Sequence, residues 1–376
     1  MQLQDLETPA LVLDVPKMDA NIARMRARLA RLGAGFRPHL KTAKSIDVAR
    51  RMYDNGVGPA TVSTLREAEY FAGHGFTDIL YAVGITPGKL AHVSNLRARG
   101  VDLKIILDSP EAAQAVAAQA RSFGAAIPTL VEIDCDGHRS GVAPDAPELP
   151  EIGRLLHAAG CLAGVMTHAG ASYDCRSVDA IRAMAEQERA RTVSAADRLR
   201  AAGLPCGIVS VGSSPTATYA QSLEGVTEVR AGVFVFFDLV MAGIEVCRIE
   251  DIALSVLTTV IGHQRDRGWL ITDAGWMAMS RDRGTEKQAV DQGYGLVCDE
   301  AGHPIPALIM RGANQEHGIV AHRSGDPART PMLPLGTRLR VLPNHACATG
   351  AQHERYLAVH GTRPEITAIW PRFSGW

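Results

Sequence analysis

GFRPHLKTAKS, residues 35–45, is the stretch on which the interpretation of the whole chain depends. Its apolar residues Phe36, Pro38 and Leu40 alternate with polar residues, the last of which is Lys41. A strand with this alternation turns its apolar face toward packed helices and its polar face the other way. If the strand belongs to a barrel, Lys41 projects into the barrel mouth.

A lysine in a barrel mouth suits covalent chemistry. Barrel enzymes react at the carboxyl ends of their strands, where a lysine beside other cations loses affinity for its proton and becomes nucleophilic. Taken alone, however, Lys41 and Lys44 fit ordinary surface lysines better, because lysine is mostly exposed in folded proteins. The rest of the chain decides between these two interpretations.

Strand-like runs recur along the first two thirds of the chain, with helical stretches such as 109–124 and 176–203 between them. The runs lie at 35–41, 60–64, 78–83, 102–108, 128–135, 161–168, 207–212 and 227–236. Eight strands alternating with helices predict an α/β fold, a (β/α)8 barrel. A doubly wound open sheet would give the same alternation, but no GxGxxG follows the first strand.

The sequence becomes rich in β-type segments after about residue 252. LSVLTTVIG (254–262), GWLITDAG (268–275) and TRLRVLPNHACAT (337–349) are examples, separated by glycine and proline. We therefore expect a barrel over 21–250 and a C-terminal β domain over 251–376. Residues 1–20, which contain the strand-like TPALVLD, are expected to join the β domain.

Composition favours a protein that acts on small molecules. The 39 basic and 40 acidic residues nearly cancel without blocks of like charge, so neither nucleic acid nor a membrane surface is an expected partner. The start, MQLQDLETPALVLD, lacks the basic flank and apolar core of a signal peptide, so a cytoplasmic location is expected. The seven cysteines are scattered without a CxxC pair, which argues against a disulfide framework.

Five distinctive blocks follow one another along the chain: RPHLKTAKS (37–45), DGHRSGV (136–142), DAGWMAMSRDRGT (273–285), GANQEHG (312–318) and LPNHACATGAQ (342–352). With them, the chain resembles the alanine racemase-like, fold-type III enzymes that use pyridoxal 5'-phosphate (PLP). Within these it is similar to the branch of D-serine dehydratases and D-threonine aldolases, and most of all to dehydratases of D-threo-3-hydroxyaspartate. The resemblance implies a PLP-binding barrel and a C-terminal β domain with a metal site.

The resemblance also implies roles for residues at matching positions. Lys41 matches the lysine that carries PLP as a Schiff base, and Lys44 is the alternative if the alignment slips. Arg139 matches an arginine near the cofactor's phenolic oxygen, where a fixed cation stabilises the phenolate. His168 in THAGASY matches an imidazole stacked on the pyridine ring, and Tyr173 in the same segment is also expected to bind the cofactor.

Two further segments match cofactor-binding positions. VGSSPTAT (211–218) matches a phosphate-binding turn with Ser213, Ser214 and Thr216, although a serine-rich turn before a helix is by itself more often only an N-cap. Arg230 in EVRAG matches the arginine that faces the pyridine nitrogen in alanine racemases, where a permanent cation keeps that nitrogen unprotonated. From sequence alone, a surface salt bridge explains Arg230 equally well.

His345 and Cys347 are two residues apart, so on an extended strand both side chains leave one face and can meet one metal ion. Imidazole with thiolate favours zinc, with manganese or magnesium as alternatives. Alone, a buried cysteine near a core histidine is the better explanation, because zinc normally has more protein ligands. The resemblance implies a metal-binding role for the pair. It also sides with the dehydratases, since the dehydratase branch carries His-x-Cys here and the aldolase branch typically carries His-x-Asp.

We therefore expect a PLP- and metal-dependent dehydratase of D-β-hydroxy amino acids. It would convert 3-hydroxyaspartate to oxaloacetate and ammonia, or D-serine to pyruvate and ammonia. The second carboxylate of 3-hydroxyaspartate needs a cation, for which Arg281 and Arg283 are candidates. Other polar residues that could line the pocket are Tyr294, Gln315, Glu316 and His317.

Three other functions remain open at this point. A metal-assisted aldolase would cleave the Cα–Cβ bond instead of removing the α-proton. An amino-acid racemase would need a second acid/base on the opposite face and gives His-x-Cys no role. A non-catalytic PLP carrier is disfavoured by the long C-terminal domain. The resemblance also implies that this chain is a homodimer whose C-terminal domain completes the partner's active site.

Overall fold

The computed structural model describes all of residues 1–376. Residues 24–232 with 375–376 form one compact unit, and residues 1–23 with 233–374 form the other. We call them the barrel unit and the β unit. The first strand, β1 (Ala10–Asp14), leads directly into α1 (Val15–Arg31), and the division between the units falls inside this helix.

Eight parallel strands form the sheet of the barrel unit, in the order β2-β9-β8-β7-β6-β5-β4-β3. Their bounds are β2 Gly35–Phe36, β3 Ala60–Val62, β4 Asp78–Gly84, β5 Asp102–Leu107, β6 Thr129–Ile133, β7 Leu162–Thr167, β8 Ile208–Val211 and β9 Glu228–Val229. The helices that follow the strands are α2 Ile46–Arg51, α3 Leu65–Ala72, α4 Leu90–Ala98, α5 Pro110–Phe123, α6 Glu148–Ala158, α7 Val178–Ala201 and α8 Ser214–Tyr219.

The sheet closes on itself just beyond β2. His39 donates its N–H to Ala231 O after β9 (2.7 Å), and Leu40 donates to Thr61 O in β3 (2.8 Å). The first strand therefore joins both edges of the sheet, and the predicted (β/α)8 barrel is confirmed. The regular part of this strand is shorter than the predicted 35–41, because Pro38 has no N–H to donate.

Ion pairs fill the barrel at the start of its strands. Arg37 is 4% exposed and lies 2.8 Å from both Asp78 and Glu228, which begin β4 and β9. Lys104 pairs with Asp78 at 2.8 Å. Further along the strands the interior is apolar, with a buried cluster of Leu80, Ile106, Leu130 and Met166. The polar chemistry at the other end of the strands is therefore supported by a packed interior.

The β unit contains one sheet of nine strands in the order β11-β14-β13-β12-β15-β10-β1-β16-β17. The bounds are β10 Leu254–Gln264, β11 Trp269–Thr272, β12 Gly295–Cys298, β13 Pro304–Ala313, β14 Gly318–His322, β15 Arg338–Pro343, β16 Arg355–Val359 and β17 Ala368–Pro371. Three short helices complete the unit: α9 Leu239–Gly243, α10 Trp276–Met279 and α11 Ala346–Gly350. The C-terminal antiparallel β domain expected from the sequence is thus present.

Two strands organise this sheet. β10 pairs with both β15 and β11, and a bulge between Val260 and Gly262 lets it turn from one partner to the other. β1 pairs antiparallel with β10 and parallel with β16. The core beside β1 comprises Leu3, Val12, Leu257, Leu357, Val359 and Ile366. No helix in the structure has both the length and the apolar character needed to cross a membrane.

Candidate functional site

Positively charged and imidazole side chains converge where the barrel strands end. Lys41 and His39 follow β2, Arg139 follows β6, His168 follows β7 and Arg230 follows β9. Burial holds the pKa of His39 well below its usual range, and the positive charges of Lys41, Arg230 and Arg139 lower it further. The structure therefore brings four of the predicted cofactor residues into one electropositive region.

His168 is held as a neutral ring. Its Nδ1 lies 3.0 Å from Gly212 O, so this nitrogen donates and Nε2 keeps its lone pair. Burial and the nearby charge of Arg139 lower the pKa of His168 to about 3. The ring centroid of Tyr173 lies 6.2 Å away at 43°. A neutral imidazole beside an aromatic ring suits contact with a flat ligand.

Arg230 is buried, with 3% of its surface exposed. Its Nε donates to Ser210 Oγ at 2.9 Å, and its Nη2 donates to Thr167 O. These contacts fix the guanidinium to the ends of β8 and β7, and the surface salt bridge that the sequence left open is not formed. Burial lowers the pKa of Arg230, but an arginine stays charged, so this is a permanent buried cation.

The segment with Ser213, Ser214 and Thr216 forms the start of α8, and all three residues are buried. Ser213 caps the helix by accepting the N–H of Thr216 at 3.2 Å, and Thr216 Oγ1 accepts the N–H of Ser213 at 3.0 Å. Ser172 Oγ lies 2.9 Å from Ser213 Oγ. The N-cap that the sequence suggests is therefore present, at a helix start that also has the chemistry of an anion site.

Glu188 in α7 is a residue that the sequence analysis did not identify. It is 2% exposed, and its Oε1 accepts the N–H groups of Ala169 and Gly212 at 3.0 Å each. Burial raises the pKa of Glu188 above its usual value. Hydrogen bonds from Thr216 and these N–H groups offset only part of that rise. One carboxylate thus ties together the loops after β7 and β8. The only sequence signal was a glutamate on the buried face of an amphipathic helix.

The two candidate lysines differ in their surroundings. Lys44 Nζ lies 3.1 Å from Glu67 Oε1, and Glu67 is fully buried. Lys41 is exposed in the turn after β2 and forms no ion pair. Its backbone N–H donates to His39 Nδ1 at 3.4 Å. Lys41 is therefore the amine that is available at the barrel mouth.

The barrel mouth fits PLP. Lys41, Arg139 and Arg230 bring three cations together there, and PLP supplies the complementary anions, a phosphate and a phenolate. The loops also approach closely: a Cβ on Gly212, whose φ is +136°, would lie 2.0 Å from Arg230 O. Only glycine fits this position, which keeps the Ser213 turn against the Arg230 segment.

In the β unit, His345 and Cys347 lie at the start of α11, where His345 is the N-cap. The expected extended strand is therefore wrong: β15 ends at Pro343, after which the chain turns into a helix. The side chains nevertheless meet. Burial lowers the pKa of His345, but hydrogen bonds with Asp282 and Cys347 and the negative charges around them raise it to about 11.

Two aspartates support this pair. Asp282 Oδ2 lies 2.8 Å from His345 Nδ1, and the hydrogen bond with His345 lowers the pKa of Asp282. Asp238 is 1% exposed and accepts the N–H of Ala346 at 3.0 Å. The carboxylate of Asp282 orients the imidazole so that Nε2 is directed away from it. Second carboxylates of this kind are typical partners of metal-binding histidines.

The chemistry of these donors fits a metal ion. Imidazole and thiolate both suit zinc and meet here at one point, and a carboxylate accepts the second imidazole proton. No group of three or more histidine, cysteine, aspartate or glutamate side chains in the structure could hold a metal. A metal bound to His345 and Cys347 would therefore keep positions open for other ligands.

The other pocket candidates also lie in the β unit. Arg281 stacks on Trp276 at 5.1 Å, whereas Arg283 lies 5.1 Å from the Tyr294 ring and pairs with Asp291 at 2.8 Å. Because Arg283 is paired with a carboxylate and Arg281 is not, Arg281 is the better candidate to bind a substrate carboxylate. The remaining candidates are exposed in the turn between β13 and β14: Gln315, Glu316 and His317.

Comparison with known families identifies the class of protein. Residues 13–240 match the family model of the alanine racemase N-terminal domain. Residues 253–359 match that of a putative serine dehydratase domain. The chain belongs to the alanine racemase-like family of PLP enzymes that carry a C-terminal serine dehydratase domain.

Its relatives narrow this class. The chain is 57% identical to D-threo-3-hydroxyaspartate dehydratase of Delftia sp. (strain HT23), over 100% of this chain and 99% of the relative. It is 27% identical to D-serine dehydratase of Dictyostelium discoideum, over 98% and 97%. These dehydratases are PLP-dependent lyases, and the chain is an enzyme of the same kind.

Solved structures give the same result. The structure of the Delftia sp. HT23 dehydratase superimposes with a TM-score of 0.96 at 56% identity, covering 100% of both chains. A cysteine-to-alanine mutant of D-threo-3-hydroxyaspartate dehydratase, which matches equally well, has been solved in a metal-free form.

Proposed function

We propose that this enzyme dehydrates D-β-hydroxy amino acids, with D-threo-3-hydroxyaspartate as the main substrate: the α-proton and the β-hydroxyl are lost as water, and hydrolysis of the resulting imine releases ammonia. The products are oxaloacetate and ammonia, and D-serine would give pyruvate and ammonia. The observation that carries the proposal is Lys41, an unpaired amine among Arg139, Arg230 and His168 at the barrel mouth. The full-length similarity to a dehydratase with that substrate supports it.

PLP, when bound, supplies an electron sink for the electron pair left on the substrate α-carbon. We propose that Lys41 Nζ holds the cofactor and removes the α-proton. Arg139 stabilises its phenolic oxygen, Arg230 keeps a positive charge near its ring nitrogen, and the neutral His168 contacts its ring. Tyr173 and the hydroxyls of Ser213, Ser214 and Thr216 complete the cofactor contacts.

We assign a divalent metal to His345 and Cys347. When bound, it supplies Lewis acidity to the substrate's β-hydroxyl, which leaves as hydroxide. Zinc is the proposed ion because of the imidazole and thiol donors, with manganese or magnesium as the alternatives. Asp282 keeps His345 Nδ1 occupied by a proton, so that Nε2 is the ligating nitrogen.

The second carboxylate of 3-hydroxyaspartate needs a cation, and Arg281 is the candidate because it forms no ion pair and only stacks on Trp276. We also propose that the enzyme is a homodimer, as the resemblance implies, and that it acts in the cytoplasm. Light scattering of the purified protein measures the oligomer, and a monomeric mass contradicts this part of the proposal.

The deciding experiment incubates the purified enzyme with D-threo-3-hydroxyaspartate, D-serine and D-threonine while ammonia and glycine are measured. We expect ammonia in equal amount to oxaloacetate, loss of turnover with a strong chelator, and recovery with zinc. Glycine release would show an aldolase, and racemisation without ammonia would show a racemase. Absence of turnover with every D-amino acid would favour a PLP carrier.

A further inference from the structure

A cavity lies in the β unit, and none of the residues assigned above to PLP or metal lines it. Its volume is about 220 Å³, and the charged residues on its wall are Asp14, Lys17, Glu250 and Arg340. Of the two carboxylates, Asp14 is buried and Glu250 is exposed. Pockets for drug-sized ligands measure roughly 300–1,000 Å³. This cavity therefore suits a ligand of only a few non-hydrogen atoms.

Arg340 on β15 is the unusual group in this wall. It is 3% exposed, it forms no ion pair, and its Nε and Nη2 are buried without any hydrogen-bond partner. A Cβ on Gly302 would lie 3.3 Å from Nη1, so the turn before β13 packs closely over the guanidinium. A buried cation without acceptors is costly, so this guanidinium is suited to accept an anionic ligand as its partner.

Asp14 at the end of β1 supplies the opposite charge. It is 6% exposed, and its Oδ1 accepts the N–H groups of Lys17 and Gly361 at 3.4 and 3.3 Å. Its Oδ2 has no protein partner. Lys17 does not neutralise it, because Lys17 Nζ donates to Ile252 O at 3.4 Å instead.

Sheet geometry keeps Asp14 and Arg340 apart. β1 and β15 are separated by β10, which spaces them by about 10 Å. Along β10, Arg340 lies opposite Leu257, whereas Asp14 donates its N–H to Ala253 O at 2.8 Å. Ser255 lies between these two points and also lines the cavity. The two charges face one cavity, and no direct ion pair joins them.

We propose that this cavity binds a small zwitterion of the amino-acid class, with its carboxylate on Arg340 and its ammonium group on Asp14. Such a ligand satisfies both charges at once. Inorganic phosphate fits less well, because it would place two negative charges near the Asp14 carboxylate. The site is separate from the catalytic residues and does not depend on the proposed reaction.

Calorimetric titration of the holoenzyme with N,N-dimethylglycine tests the proposal. This zwitterion has a tertiary amine, so it cannot form an imine with the cofactor aldehyde. We expect saturable binding that Arg340→Met and Asp14→Asn each weaken by about 10-fold or more, because each loses a hydrogen bond to a charged group. Arg355→Met is the control, since it removes the same charge at an exposed position of β16.

Ala301→Phe provides a second test that leaves the buried charges in place. Ala301 lines the cavity, and a larger side chain there should abolish binding even if Arg340→Met does not fold. No saturable binding to the wild-type enzyme, or unchanged binding to Ala301→Phe, would overturn the proposal. Phosphate or acetate binding as tightly as N,N-dimethylglycine would also overturn it, because the second charge would then have no role.

Discussion

Lys41 and Lys44 are three residues apart in the chain but differ in whether their amino groups are paired with a carboxylate. Lys44 is neutralised by the buried Glu67, whereas Lys41 is unpaired and close to Arg139 and Arg230. An amine that must react with an aldehyde needs to be accessible and uncommitted. Only Lys41 meets both requirements.

Replacement of Lys41 should therefore remove the covalent link to PLP. We expect Lys41→Ala to lower turnover by about 10²–10⁴-fold, as for loss of a positioned acid/base. Borohydride reduction followed by mass spectrometry should place the added mass on residue 41. Lys44→Ala is the matched control and should keep both the link and most of the activity. Added mass on Lys44 instead would disprove the assignment.

Asp282 is predicted to act through His345. Asp282→Asn keeps a hydrogen-bond acceptor but removes the negative charge that orients the imidazole. Losing such a partner typically weakens metal affinity by about 10–100-fold. Competition with a chromogenic chelator measures this affinity, and zinc should restore turnover at high concentration. Asp326→Asn, at an exposed turn, controls for the charge change, and equal effects of both variants would contradict the role.

At the scale of elements, α7 positions the barrel mouth through one side chain. Glu188 accepts N–H groups from the loops after β7 and β8, so the helix holds the segments that carry His168 and Ser213. The strands alone do not fix these loops. A buried carboxylate is tolerated here because several donors satisfy it.

Glu188→Ala should loosen both loops and weaken PLP binding. Each buried N–H left without an acceptor costs about 1–3 kcal/mol. We expect a lower melting temperature and a higher PLP dissociation constant, measured by fluorescence titration of the cofactor-free protein. Glu186→Gln is the control, because Glu186 is exposed on the same helix and pairs only with Arg189. An unchanged dissociation constant for Glu188→Ala would rule out the positioning role.

At the scale of the whole molecule, the cofactor-free protein should lose stability in acid. The pKa of His168 is about 3 in the folded protein and about 6.5 in an unfolded chain. Below pH 6.5 the unfolded chain therefore binds a proton that the folded protein does not. His168 alone should lower the free energy of unfolding by up to about 1.4 kcal/mol per pH unit until the pH reaches its folded pKa, and His39, whose pKa burial also lowers, should add to this slope.

Urea denaturation between pH 7 and pH 5 measures this slope. His168→Asn should flatten it, because asparagine can still donate to Gly212 O but does not titrate. His157→Asn, at an exposed position near the end of α6, should leave the slope unchanged. An identical slope in wild type and His168→Asn would show that other groups control acid stability.

Much of this protein was predictable from local patterns. Alternation of apolar residues located the barrel strands, because a buried strand has the same period wherever it lies. The five blocks pointed to the family, and the residues of the barrel mouth follow strands in the predicted way. The first strand was predicted too long, since Pro38 interrupts its ladder. The strand expected at His345 and Cys347 is the start of a helix.

The alternation of strands and helices, the class of enzyme and the residue types able to bind PLP and a metal could all be inferred from the amino-acid order. The folded structure was needed to show which lysine is free, which carboxylate orients His345, and that Glu188 joins two loops. It was also needed to show the unpaired charges of Asp14 and Arg340 around one cavity. This division arises because periodicity is local, whereas pairing, burial and charge depend on residues far apart in the chain.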